Sequence, residues 1–300
     1  MKKTMIILCA AMLCACGGGH KEKNFSREEN VEYLCALAHY SPDDFEYLSD
    51  GRIDTIADEF RKLNMKMSPY TSMEAIMEEL DNLANLCSDA CYKGSNDEVF
   101  VCEDLLLNRI EFHLHNSITW YEYLPTDVFS FSPLQVTASP DGKYKFYTTR
   151  DINCRGTVGE WQSFCQFWVD GRLEVKRWQE EYEPADNMGN VRRVWQYNYH
   201  DTTFYIIKSR YRETSNDIGY RMEIVTFELD GTPKYHTRFF PKRKEYAGKY
   251  ADYKESAYVV CWTEVGFNVD YTFDPQTLTV TARTQEGDSL VTKTWRLKLD

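Results

Sequence analysis

Near residue 116 the apolar residues of this chain stop recurring every three to four positions and begin to alternate every two. That change of period, helix first and strand afterwards, limits the fold more than any other feature. Helices gathered at one end of the chain and strands at the other give an α+β protein. The expected architecture is an N-terminal helical layer packed with a C-terminal antiparallel β-meander, either a partial propeller or a sandwich. Residues 25–116 make the helical region and 117–300 the β domain.

In the first part Ser26 and Glu29 stand at capping-box spacing, and Val31, Leu34, Cys35, Leu37 and Ala38 follow at helical intervals. Ser41-Pro42-Asp43-Asp44 carries proline at a first helical position and acids in a first turn, a second start signal. Ile53, Ile56, Ala57, Phe60 and Leu63 form another stripe, and Ser72 opens a third helix bearing Ile76, Leu80, Leu83 and Ala84. Residues 105–114 fit both periods.

The β part holds two Asp-Gly hairpin signals, Asp170-Gly171 and Asp230-Gly231, and a third turn at residues 274–277. Apolar strands at 143–149, 203–209 and 256–262 each precede one hairpin, so the spacing predicts about three four-stranded units. Residues 139–143, SPDGK, resemble the turn found in blades of translocation-associated and WD-type β-propellers. Closure usually takes at least four blades, so three units imply an open, curved arrangement.

The first sixteen residues, MKKTMIILCAAMLCAC, read as an address rather than as part of the fold. Two lysines precede an apolar stretch at 5–13 that is too short to span a bilayer. Leu13-Cys14-Ala15-Cys16 resembles the lipobox of bacterial lipoproteins, with a branched apolar residue at −3 and a small one at −1. The resemblance implies a signal peptide at 1–15, cleavage before Cys16 and lipid on its sulfur, as in lipoproteins of Gram-negative bacteria. Residues 16–24 then form a polar tether. Glycines rather than acids follow Cys16, so an outer-membrane anchor facing the periplasm stands beside display at the cell surface.

Charge follows the same boundary. Residues 25–115 carry 20 acidic and 7 basic side chains, and 116–300 carry 26 and 24. The net −12 excludes a general nucleic-acid binder, which needs a basic face against phosphates. The acidic helices read as a solvated surface, or alternatively as a docking face.

Seven cysteines besides Cys16 remain after such a cleavage. Cys154 and Cys165 flank a glycine-containing segment and could close a disulfide across a hairpin; Cys91 and Cys102 could link two helices. His113 and His115 would share a face on a strand, but no third ligand stands at zinc spacing. The sequence holds no HExxH, GxSxG, phosphate-loop or dinucleotide-binding motif, and no cofactor or metal is implied. Carboxylates such as Glu180, Glu181 and Glu183 are too numerous to single out a glycosidase pair. Aromatics are more telling: Trp178 and Trp195, on strands rich in tyrosine, could stack on a ligand, or else belong to the sheet's interior.

These features point to a membrane-anchored lipoprotein with a non-catalytic binding or scaffold role in the cell envelope. Its partners would be the membrane, through the lipid, and a glycan or an envelope protein. A hydrolase of envelope or dietary glycans and a structural subunit of an envelope complex are the alternatives.

Overall fold

The computed structural model describes residues 25–38, 42–46, 48–62, 69–92, 96–122, 135–150, 161–178, 190–212, 218–240 and 258–298. Helices come first: α1 (Arg27–Ala38), α2 (Asp50–Lys62), α3 (Met73–Tyr92), α4 (Asn96–Leu114) and α5 (Ser117–Tyr121). The strands follow in three antiparallel sheets. The first joins β1 (Gln135–Ala138), β2 (Tyr144–Arg150), β3 (Trp161–Val169) and β4 (Arg172–Trp178) in chain order. The second joins β5 (Asn190–Tyr199), β6 (Thr202–Arg212), β7 (Ile218–Phe227) and β8 (Pro233–Tyr235), with β9 (Tyr258–Thr263) also on β7. The third joins β10 (Asp270–Asp274), β11 (Thr279–Glu286) and β12 (Ser289–Arg296). The α+β architecture read from the change of period is present.

Helix starts follow their local chemistry. The Ser26 N–H donates to Glu29 Oε2 (2.8 Å) and the Glu29 N–H to Ser26 Oγ (3.2 Å), a complete capping box. Ser72 Oγ accepts from the Ala75 N–H at the start of α3. The proline start signal at residue 42 gives only a 3-10 helix, Pro42–Phe45. There i to i+3 bonds close the turn, and the Arg27 guanidinium takes the Phe45 and Leu48 carbonyls. Residues 105–114, legible in either period, are helical, and the helices continue past residue 116 into α5.

The layers stack in chain order. Tyr147, Phe164 and Val175 turn one face of the first sheet into the apolar core of the helices. Phe146, Cys165, Phe167 and Trp178 turn its other face onto Val191, Val194, Tyr205, Ile207 and Val225 of the second sheet. The second sheet's far side, with Trp195, Phe204, Ile206, Met222 and Ile224, meets Tyr271, Phe273, Val280 and Ala282 of the third. Two-sided burial explains why residues 145–149 and 204–209 are buried one after another, polar side chains included. One-sided burial explains the alternation in β10, where Tyr271 and Phe273 are buried between exposed Asp270, Thr272 and Asp274.

The expectation of about three four-stranded units needs correcting. β8 pairs only with Val225, Thr226 and Phe227 of β7, and the other half of that edge would be left with open backbone groups. β9 fills it, pairing with residues 218–222 instead of starting the third sheet. Its end reaches that sheet through side chains: Thr263 Oγ1 donates to Gln285 Oε1 (2.8 Å), and Thr284 Oγ1 accepts from the Trp262 N–H (3.1 Å). The sheets have four, five and three strands, stacked openly with the helices over the first.

The two Asp-Gly signals build different turns. Asp170 and Gly171 both have positive φ (48° and 76°), as a two-residue type I′ hairpin requires. At the second signal only Gly231 does, and Glu228 and Thr232 close a three-residue loop around it. A Cβ on Gly231 would lie 1.9 Å from the Phe167 ring of the facing sheet, whereas one on Gly171 meets nothing within 4 Å. Gly231→Ala is therefore expected to destabilise by about 2–4 kcal/mol, and Gly171→Ala by only about 1–2 kcal/mol, in urea unfolding. Equal losses would mean that the ring does not press on the turn.

Candidate functional site

Two clusters gather the chemistry-bearing side chains, one inside the helical layer and one at an edge of the first sheet. In the interior, Glu79 of α3 faces Arg109 and His113, one turn apart on α4. Arg109 grips the carboxylate with a fork, Nε to Oε1 at 2.5 Å and Nη2 to Oε2 at 3.0 Å. His113 Nε2 lies 3.0 Å from Oε1, and the Tyr70 hydroxyl donates to Oε2. Glu79, Arg109 and His113 are 5%, 2% and 0% exposed, so water does not screen them. Burial by itself would raise the Glu79 pKa, but the bonds from His113, Arg109 and Tyr70 overcome it and hold the carboxyl at about 2. A carboxylate so strongly held is neither a proton donor nor a base near neutrality. It serves as an ion-pair anchor between α3 and α4.

The sequence carried a sign of this cluster that residue spacing alone did not exploit. Glu79 stands within the apolar stripe of Ile76, Leu80 and Leu83, where a charge requires a partner. The strand reading of His113 and His115 is corrected by the helix. His113 is buried in α4, while His115 lies beyond its end with Nδ1 3.4 Å from the Leu173 carbonyl. Among the described residues, no group of three or more His, Cys, Asp or Glu side chains is placed to hold a metal ion.

The edge cluster is aromatic. Trp120 of α5 meets Trp168 of β3 edge to face, with ring centroids 6.1 Å apart. Trp168 is 39% exposed, and Tyr121, next to Trp120 in the chain, is 74% exposed. Lys145 Nζ lies 4.6 Å from the Trp120 ring centroid and donates to the Trp120 carbonyl. The platform is firm because the end of α4 and the middle of α5 are both tied to the first sheet. Gln166 Nε2 donates to the Leu114 carbonyl (2.5 Å) and to Thr119 Oγ1 (2.8 Å), and the Tyr147 hydroxyl donates to the Thr119 carbonyl (2.7 Å). A smaller cluster tops the β5–β6 turn, where Tyr197 and Tyr199 stack at 6.4 Å.

Trp178 and Trp195, the expected stacking rings, are placed otherwise. Both are core residues, 4% and 7% exposed. Trp178 packs edge to face on Phe146 (5.0 Å) and donates from Nε1 to Glu223 Oε2 (3.1 Å). Trp195 packs on Tyr271 and Phe273 of the third sheet. They are buried because the first two sheets are covered on both faces.

Cys165 is a buried free thiol whose pKa burial pushes far up, and Cys154 lies outside the described residues. Burial likewise pushes the Cys261 thiol up to about 12, so neither is a ready thiolate nucleophile. Cys16 with its lipobox, and the carboxylates at 180–183, also lie outside the described residues. The SPDGK turn joins β1 to β2 and ties the first two sheets together. Asp141 accepts from Ser139 Oγ (2.7 Å) and from the Tyr205 hydroxyl of β6 (2.7 Å).

No family model, no curated protein and no solved structure matches this chain. Among the described residues no helix is long and apolar enough to cross a membrane.

Proposed function

We propose that the protein is a lipid-anchored envelope protein that binds, rather than transforms, a glycan or another envelope protein. The observation that carries the binding role is exposed Trp168 edge to face with Trp120, with exposed Tyr121 next to Trp120 in the chain, at a joint where helix is hydrogen-bonded to sheet. Rigid aromatic rings offer large contact area while losing little conformational entropy on binding. The anchor rests on residues 13–16, whose cleavage would leave Cys16 at the head of a short tether to α1. Several acyl chains, each contributing about 0.8 kcal/mol per buried methylene, would hold the folded body at a bilayer durably.

Both parts have a direct test. Cys16→Ser should accumulate as an uncleaved, unlipidated precursor; normal processing and membrane retention of that variant would refute the anchor. For binding, the double variant Tyr121→Ala/Trp168→Ala should lose retention on glycan arrays or envelope proteins while its melting temperature stays within a few degrees of the parent. Unchanged binding would remove the aromatic edge from the account. Turnover of a glycan, abolished by neutralising one pair of carboxylates, would replace it with the hydrolase reading.

A further inference from the structure

We propose that Cys87 and Cys102 are a disulfide-forming pair, a redox-closed staple between α3 and α4. The two helices fold back on each other through a short connection, so residues equally far from it stand at the same height. Glu79 and Arg109 meet at one such level, and Cys87 and Cys102 at another nearer the connection. Both cysteines are buried in the helical core, 0% and 3% exposed, and their thiols hydrogen-bond to each other. Two facing helices therefore hold these two free thiols next to each other at one level, the arrangement from which a bridge can close. Cys91, the alternative partner for Cys102, lies four residues further along α3, about 6 Å along the helix axis from the level of Cys87. Cys165 and Cys261 belong to two other cores and fill space there as single thiols.

The step needs a disulfide donor, such as oxidised glutathione or a thiol-oxidising protein. The Cys87 thiolate attacks one donor sulfur, forming a mixed disulfide and releasing one donor thiolate. The Cys102 thiolate then attacks the Cys87 sulfur and expels the second donor thiolate. Two protein thiols lose two electrons and two protons, and the donor disulfide is reduced to two thiols. Burial hides both sulfurs, and the contact with Cys102, together with burial, pushes the Cys87 thiol up, so exchange runs before the hairpin closes or when it opens. Oxidation of the folded chain should therefore be slow in native buffer and faster in dilute urea.

The proposal does not rest on export or lipidation, because the donor can be supplied in solution. The full chain is reduced, unfolded, and refolded in a glutathione redox buffer. Free thiols are then alkylated, and the chain is cleaved before Asp89 and after Lys93, which parts Cys87, Cys91 and Cys102. The expected map joins the Cys87 peptide to the Cys102 peptide. A map with both thiols alkylated, or with either joined to Cys91, overturns the proposal. Closing this short loop should shift the unfolding equilibrium by about a hundredfold in favour of the native state, and reduction should remove that shift. Cys102→Ala should unfold identically with and without reductant; a reductant-dependent shift that persists in it places the bridge elsewhere and also overturns the proposal. Should that variant not fold, the peptide map of the unaltered chain decides alone.

Discussion

Replacing Glu79 with alanine is expected to destabilise the protein by about 3–5 kcal/mol, among the largest single losses available in the helical layer. The reason is what remains: Arg109, 2% exposed, keeps its charge in an apolar core without the carboxylate that grips it. The same carboxylate makes stability depend on acid. Its folded pKa, about 2, lies below the ordinary 4.5, so the native state holds this proton less tightly than the unfolded chain does. Its contribution is complete above pH ~4.5 and drains away as pH falls toward ~2, amounting to about 3 kcal/mol. Urea unfolding followed between pH 6 and pH 2 measures it. Glu79→Gln should start lower and show a flatter acid limb; a parallel, equally steep limb would mean that other carboxylates carry the acid sensitivity.

Trp178→Ala is expected to cost about 3–5 kcal/mol through the cavity left between the first two sheets. Its ring fills the space bounded by Phe146, Phe227 and Tyr235, so three aromatic neighbours lose contact together. Trp178→Phe keeps a ring against Phe146 but gives up the indole bond to Glu223, for a loss of about 1–2 kcal/mol. Trp168→Ala, at the exposed edge, should change stability by less than about 1 kcal/mol. Denaturant midpoints for the three variants separate core from surface directly. A near-neutral Trp178→Ala would return that ring to the candidates for ligand stacking.

The sequence was most readable where local chemistry acts alone. The capping box at Ser26 and Glu29, the Ser72 start and the Asp170-Gly171 turn depend on neighbouring residues, and each appears as its spacing implies. Legibility fell where distant parts of the chain decide. The Asp170-Gly171 signal marked β4 as a strand, and Trp195 was set among tyrosines on another, but a strand covered on both faces leaves no sign of which tryptophan is outside. Trp178 and Trp195 are hidden by sheets from remote parts of the sequence, whereas Trp168, on the same strand face as Phe164, meets only the edge of Trp120 and stays 39% exposed. The transfer of β9 to the second sheet likewise depends on the shortness of β8, which no residue of β9 encodes. The Glu79 cluster required pairing two helices whose facing was unknown, although a charge in an apolar stripe was a visible sign.

The central claim, a lipid-anchored body on a short tether, is tested most directly by the intact mass of the protein extracted from membranes of a cell that processes bacterial lipoproteins. The account predicts a chain that lacks residues 1–15 and begins at Cys16, heavier than its polypeptide by a diacylglyceryl group and removable to the soluble fraction only by detergent. A chain that retains residues 1–15, or one cut at another position and carrying no lipid, would contradict it.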